Sequence, residues 1–594
     1  MTRKLFTAAL LCASAAFAAE DVVMKAMRDE LARSMKKLQL ESLQKPYFIS
    51  YREVETDTCA VSASFGAILS SMCEPPATQP RSRQLAVEVR VGDYARDNTN
   101  FYAFRMQASG VVRIMGGDAL SVPVDDNYDE IRRQLWLATD SAYKQALDVY
   151  AKKKAALENR TRTDDAPDFS KEPVISDTET TPIAPWNRAE VEAGAKALST
   201  IFREFPGVAD SEVRFNSNTS LTRFVNSEGT WYTRQTGLAS WQVNASTQAV
   251  DGMPIADFDM AHGRSLRDLP SRDELAKRVR SLASRVEKLR TAALVERYTG
   301  PVLFEGQAAA EMVMQGLANA IVGVPRLVVD DSRFEKMFAS DDGTFADKIG
   351  GKVLPDFLSL TDNPAAREFG GKPLFGSYQV DEEGVKARPT QIVDKGICVT
   401  MLRSRALIPN TTASTGNRRT MGAMPSNLLF TAEKSLTADQ LKAELLRLVK
   451  LRNREYGILV RRLNNPSVAL ASNRGRTIII TSRGAGAVDV EPAIEAYKVY
   501  PDGREELVRN LNINGLTLGS FKDIVAVSDT SNVFSAPFRT KRISPATAGT
   551  FLVGAQPLVS VAVPSLLFDD LTLQRPTGDV PNLPFTKHPF FDSK

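Results

Sequence analysis

The chain has 594 residues, 43% hydrophobic and 25% charged, with a formal net charge of +4. That is globular composition, long enough for roughly two to four domains with their own cores. The small positive charge is spread along the chain and gives no reason to invoke nucleic acid, and no internal apolar run reaches the ~20 residues that span a bilayer.

At the N-terminus, Arg3 and Lys4 precede an apolar run over residues 5–17, and Ala16-Phe17-Ala18 forms a small-x-small cleavage site. This is the pattern of a secretory signal over residues 1–19, so the mature protein is expected in the periplasm or outside the cell. Residues 21–44 then read as a helix with an apolar stripe through Val22, Met27, Leu31 and Leu38. Residues 46–116 turn to strand character. Within them Cys59 and Cys73 bracket AVSASFGAILSSM, two short strands about Phe65-Gly66. Export is compatible with a disulfide between these cysteines, two free thiols being the alternative.

A long helix is expected from about 125 to 159, with a basic, solvated C-terminal end, and residues 160–187 read as a proline-dotted connector. A helix over 188–205 precedes three strands, SEVRFNSNTS, LTRFVNSEGTWYTRQ and LASWQVNASTQA, with a turn at Asn226-Gly229. Another helix follows over 273–291. Segregated helices and strands of this kind give an α+β class: an N-terminal α+β domain with an antiparallel sheet and long helices, built from 20–159 and 188–291, and a β-rich C-terminal domain over 292–594.

The C-terminal part opens on GPVLFEGQAAAEM, a buried strand over 301–304 turning into a helix near Gly306. LFGSYQVDEEGVKARPTQIVDKGICVTMLRSR reads as a strand, a turn at Asp381–Gly384 and two more strands. A glycine-bearing loop over 413–427, a helix over 436–456, and further strands including RTIIITSR and a hairpin through Pro501-Asp502-Gly503 complete the chain.

Chemistry-bearing residues are sparse. The only two histidines, His262 and His588, lie far apart and read as single surface or loop residues; neither has a spaced metal-ligand partner. Cys398, in KGICVTML, reads as a buried, inert thiol. Glu305 at the strand–helix junction reads as a helix-start residue and Glu311 lies farther along the helix. Ser414-Thr415-Gly416-Asn417-Arg418 fit either a tight turn with solvated arginines or a site for backbone carbonyls or a carboxylate.

Three blocks in fixed order, GPVLFEGQAAAEM, FGSYQVDEEGVKARPTQIVDKGICVTMLRSRAL, and STGNRR followed by Pro425-Ser426-Asn427, resemble the TldD/PmbA family of metallopeptidases, once described as modulators of DNA gyrase. The resemblance implies an α+β N-terminal domain joined to a β-rich C-terminal domain. It also implies a heterodimer: a TldD-type subunit binds zinc through a helical H-E-x-x-x-H motif and a later cysteine, and a TldE (PmbA) partner lacks it. Unfolded peptide is held through its backbone as an added strand. Aligning the strand over 301–304 places Glu305 at the first histidine, Gly306 at the glutamate and Ala310 at the second histidine, so no metal ligands are expected in this chain. The resulting expectation is an exported, noncatalytic subunit of a peptide-degrading complex, without a cofactor of its own, dimeric with a zinc-bearing homologue. An active peptidase with a divergent site, or a stand-alone envelope peptide-binding protein, are the alternatives.

Overall fold

The computed structural model describes residues 21–73, 82–102, 120–158, 166–181, 184–325, 328–329, 344–420, 422–465, 467, 488, 490–538, 557–576 and 589–592. The signal-peptide reading of 1–19, His588 and the strand RTIIITSR lie outside these residues.

Helix α1 (Val22–Lys37) is capped by Asp21, whose carboxylate accepts the Met24 amide at 3.0 Å. Strands β1 (Pro46–Ser64) and β2 (Ala67–Met72) form a hairpin whose turn residues Phe65 and Gly66 both have positive φ, 51° and 88°. Two such residues give the twist that a two-residue hairpin needs. Cys59 and Cys73 are joined by a disulfide across this hairpin. Strand β3 (Ser82–Val91), helix α2 (Tyr128–Glu158), strand β4 (Ser176–Thr180) and helix α3 (Arg188–Thr200) follow. The basic end of α2 is not all solvated. Lys153 is buried, donating to Asp168 at 2.6 Å and to the Thr99 carbonyl.

The next three strands differ from the sequence reading. Asp210–Asn226 is one continuous strand, β5, and Trp231–Gln248 is another, β6, before β7 (Pro254–Gly263) and helix α4 (Arg272–Leu289). The polar stretch Asn216–Ser220 does not break β5, because β1 and β6 pair with it on both sides without interruption. The sheet order is β3-β1-β5-β6-β4, with β2 on β1 and β7 on β6; β4 alone of these runs parallel to its neighbour.

Alternation decides what each face of this sheet meets. Odd-numbered residues of β1, β5 and β6 face the helices: Ile49 and Tyr51 pack with α1 and α2, while Val213, Trp241 and Val243 pack with α4. Even-numbered residues face the C-terminal domain, as Phe224 and Tyr232 do in packing on Val380.

The C-terminal domain is a second, mixed sheet. Strand β8 (Arg297–Phe304) leads into helix α5 (Gly306–Gly316); β9 (Leu358–Asp362), β10 (Thr390–Asp394), β11 (Asn427–Ala432), helix α6 (Ala438–Leu451), β12 (Gly457–Leu463), β13 (Ala493–Val499), β14 (Glu505–Val508), β15 (Ile524–Pro537) and β16 (Leu558–Gln574) follow. The order is β10-β9-β11-β16-β8-β12-β13-β14, with β15 also on β16. Val302 and Phe304 pack on the α5 side and Leu303 on the α6 side, with Leu441 and Leu445. One helix thus covers each face of the central strands. Residues 374–380 were expected as a strand; they form an irregular segment that touches its neighbour through the single bridge Val380–Lys386. Among the described residues no helix is long and apolar enough to cross a membrane.

Candidate functional site

Among the described residues two places carry chemistry. The first is α5. Glu305 lies before the helix in extended conformation (φ −117°, ψ 155°) and makes no side-chain cap bond; its carboxylate lies 3.5 Å from Arg461. Gly306 opens the helix at φ 54°. Of the three motif positions the resemblance implies, Glu305 thus stands at the N-cap, and Gly306 and Ala310 lie within α5. Glu311 and Gln315 lie farther along the same helix.

Glu311 is wholly buried. Gln315 Nε2 donates to it at 2.7 Å and Asn465 Nδ2 at 2.6 Å, with Gln307 Nε2 at 3.4 Å. Burial pushes its carboxyl up to about 7 against these bonds and the charge of Arg462. The donor set does not fit the zinc that the family resemblance implies. Where the resemblance implies two imidazoles there stand the Glu305 carboxylate and the Ala310 methyl group, and the nearby Gln315 amide is spent on Glu311, the Asn464 carbonyl and the Glu491 amide. Among the described residues no three His, Cys, Asp or Glu side chains group as a metal site. Cys398 is buried in the apolar core, its thiol pushed up to about 11 by burial and its sulfur 3.6 Å from the Thr400 carbonyl. That is the environment of an inert thiol.

The second place is a cleft of about 140 Å³ between the even-numbered face of the first sheet and the C-terminal domain. Its floor is a patch of cross-strand pairs: Val54 opposite Thr222 opposite Arg234, Ser220 opposite Thr236, and Asn218 opposite Leu238. Its wall comes from Phe375, Tyr378, Glu382, Arg418, Arg419 and Leu558.

The loop singled out in the sequence divides here. Ser414, Thr415, Gly416 and Asn417 are buried behind the wall and line no part of it. Ser414 Oγ donates to the Arg403 carbonyl, Asn417 Nδ2 donates to Asp362 at 2.7 Å, and Gly416 at φ 74° passes so close to the Lys386 carbonyl that a Cβ would sit 2.7 Å from it. Asp362 itself is pushed up to about 6 by burial. The solvated-turn reading is thereby corrected, and of the five candidates only Arg418 reaches the cleft. The expected turn at Asp381–Gly384 holds Arg418 in place, since Asp381 accepts the Arg418 amide at 3.0 Å.

The cleft's remaining charges escaped sequence reasoning because they come from distant segments. Arg52 pairs with Glu382. Arg234 donates to the Val380 carbonyl at 2.9 Å, Arg264 to the Leu374 carbonyl at 3.1 Å, and Arg419 to the Leu558 carbonyl at 3.1 Å. Burial alone would raise Glu382, but Arg52, Arg234, Arg418 and Arg419 outweigh it and hold the carboxyl below its usual range. Their fields converge on one point. His262, expected on the surface or in a loop, stands in β7 opposite Ser240 and tilts against Phe375, held neutral down to about 4 by burial and then by Arg278.

Residues 297–575 match the PmbA/TldA metallopeptidase C-terminal domain. Over 83 residues the chain is 35% identical to a metalloprotease of Methanocaldococcus jannaschii, a stretch that spans 14% of this chain and only 17% of that relative. Among solved structures, a candidate modulator of DNA gyrase from Bacteroides thetaiotaomicron superposes with a TM-score of 0.56 at 13% identity, covering 93% of this chain and 98% of that one. TldE from Thermococcus kodakarensis gives 0.53 at 14%, covering 92% and 99%, and a candidate gyrase modulator from Thermotoga maritima gives 0.54 at 14%, covering 89% and 96%. The α+β fold with its second mixed sheet is thus shared with these solved structures. The chain is similar to the TldD/PmbA family over this C-terminal part, just under half of its length.

Proposed function

We propose that this chain is an exported, noncatalytic subunit of a TldD/PmbA-type peptide-degrading complex, holding extended peptide beside a zinc-bearing homologue. The observation that carries the reading is the chemistry of α5, which holds no histidine or cysteine and whose buried Glu311 is bound by the amides of Gln315 and Asn465. The disulfide between Cys59 and Cys73 supports an oxidising compartment, in keeping with the signal-like residues 1–19.

The test is to purify the mature chain, measure its bound zinc, and follow cleavage of an unstructured peptide with and without a zinc-bearing homologue from the same envelope. Cleavage only by the mixture, with zinc in the homologue alone, is the expected result; stoichiometric zinc and cleavage by the pure chain would overturn it. A second reading, a peptidase with a divergent site, is favoured by the buried Glu311 carboxyl near 7, within the range of a general acid–base group. It requires that the pure chain cleave peptide and lose this on Glu311→Gln.

A further inference from the structure

We propose that the cleft between the two sheets is a carboxylate-binding subsite that takes the C-terminal carboxylate of the bound peptide; this rests on, and deepens, the peptide-binding reading. Five arginines line it, Arg52, Arg234, Arg264, Arg418 and Arg419, against two carboxylates, Asp381 and Glu382. Among the described residues Arg52 pairs with Glu382, whereas Arg234, Arg264 and Arg419 have backbone carbonyls as partners and no carboxylate within ion-pair distance. Arg52 also keeps a buried Nη2 without a hydrogen-bond partner.

Guanidinium groups held partly out of water in excess of their counter-charge cost free energy, and a bound anion recovers it. Asp381 offers little compensation, because burial and the neighbouring Glu383 raise its carboxyl. The guanidinium fork matches a carboxylate in two parallel bonds, and the hydroxyls of Ser220 and Thr236 add neutral partners on the floor. Phe375 and Leu558 give an apolar wall for one last side chain. A chain end carries the extra carboxylate that these arginines lack, which an internal segment does not. These features together select a terminus over an internal segment.

The test uses the purified mature chain and fluorescence anisotropy with an N-terminally labelled, unstructured decapeptide, made once with a free C-terminal carboxylate and once as the amide. The expected result is at least tenfold tighter binding of the acid, with the preference lost in Arg234→Gln and Arg419→Gln. Ser220→Phe, which fills the cleft and leaves every arginine in place, is expected to remove the preference as well. Melting temperatures report whether each variant is folded. Equal binding of acid and amide overturns the carboxylate subsite and leaves peptide binding standing. If neither peptide binds, N-acetylalanine is the second probe: raising the melting temperature of the wild type and not of Arg419→Gln, it upholds the carboxylate site and sinks the peptide reading. No response to either probe, or an equal response to inorganic phosphate, overturns the proposal.

Discussion

Replacing Glu311 by Gln tests the account of α5 directly. The carboxyl has an ordinary value of 4.5 and stands at about 7 in the folded chain, so the fold prefers its protonated form. Below pH 4.5 both folded and unfolded chains are protonated and the group costs nothing. As pH rises from 4.5 to about 7, the unfolded chain sheds the proton first, and stability falls by up to 1.36 kcal/mol per pH unit, about 3 kcal/mol in all. Above 7 the loss is constant. The glutamine cannot ionise, so this slope vanishes, although its NH2 meets amide donors that are already fixed. Gln307 accepts the Leu463 amide, Gln315 that of Glu491 and Asn465 that of Ser467, so none of the three flips freely. The protonated acid meets the same donors, which makes the comparison at low pH a fair baseline. Denaturant unfolding of wild type and variant at pH 4.5 and pH 8 is the assay. The variant's stability relative to wild type should rise by about 3 kcal/mol between the two pH values. A relative stability that is the same at both would refute the reasoning, since other titrating groups cancel in the difference.

Three further perturbations follow from particular contacts. Gly416→Ala places a methyl 2.7 Å from the Lys386 carbonyl in a left-handed conformation, and should cost on the order of 1–3 kcal/mol in thermal unfolding; a neutral outcome would mean that the wall relaxes. Reducing the Cys59–Cys73 bond, or replacing both cysteines by Ala, opens a loop of sequence separation 14 and should cost about 3 kcal/mol, read as a drop in melting temperature under reductant that the double variant does not show. His262 is held neutral by burial and Arg278, so it binds its proton less readily folded than unfolded. Stability should therefore fall as pH drops from 6.5 towards 4, and His262→Gln should flatten that fall in acid unfolding curves.

Much of the fold was legible because its signals are local. Helix α1 follows from its apolar stripe, and the hairpin at Phe65-Gly66 from its turn residues. The continuity of β5 was not legible, because Asn216, Ser217, Asn218, Thr219 and Ser220 carry turn-like composition while pairing on both sides makes them strand. The start of α5 was legible to within a residue, the extended backbone at Glu305 placing it at Gly306. The cleft had no local signal. Arg52, Arg234, Arg264 and Arg418 meet only through the topology, and the one hint was the polar run at 218, 220 and 222, which shares a face only once the strand is known to continue.

The shared strands also bear on how the gene can vary. Trp241 in the helix-facing core and Arg234 on the cleft floor sit on one strand, β6, in opposite phase of the same two-residue alternation. Inserting or deleting one residue in the turn Ser227–Thr230 would slip β6 against β5 and exchange its two faces, sending the indole outward and the guanidinium inward. That turn touches neither the core of α4 nor the cleft, yet its length constrains both, so length changes there should be tolerated in pairs and rejected singly.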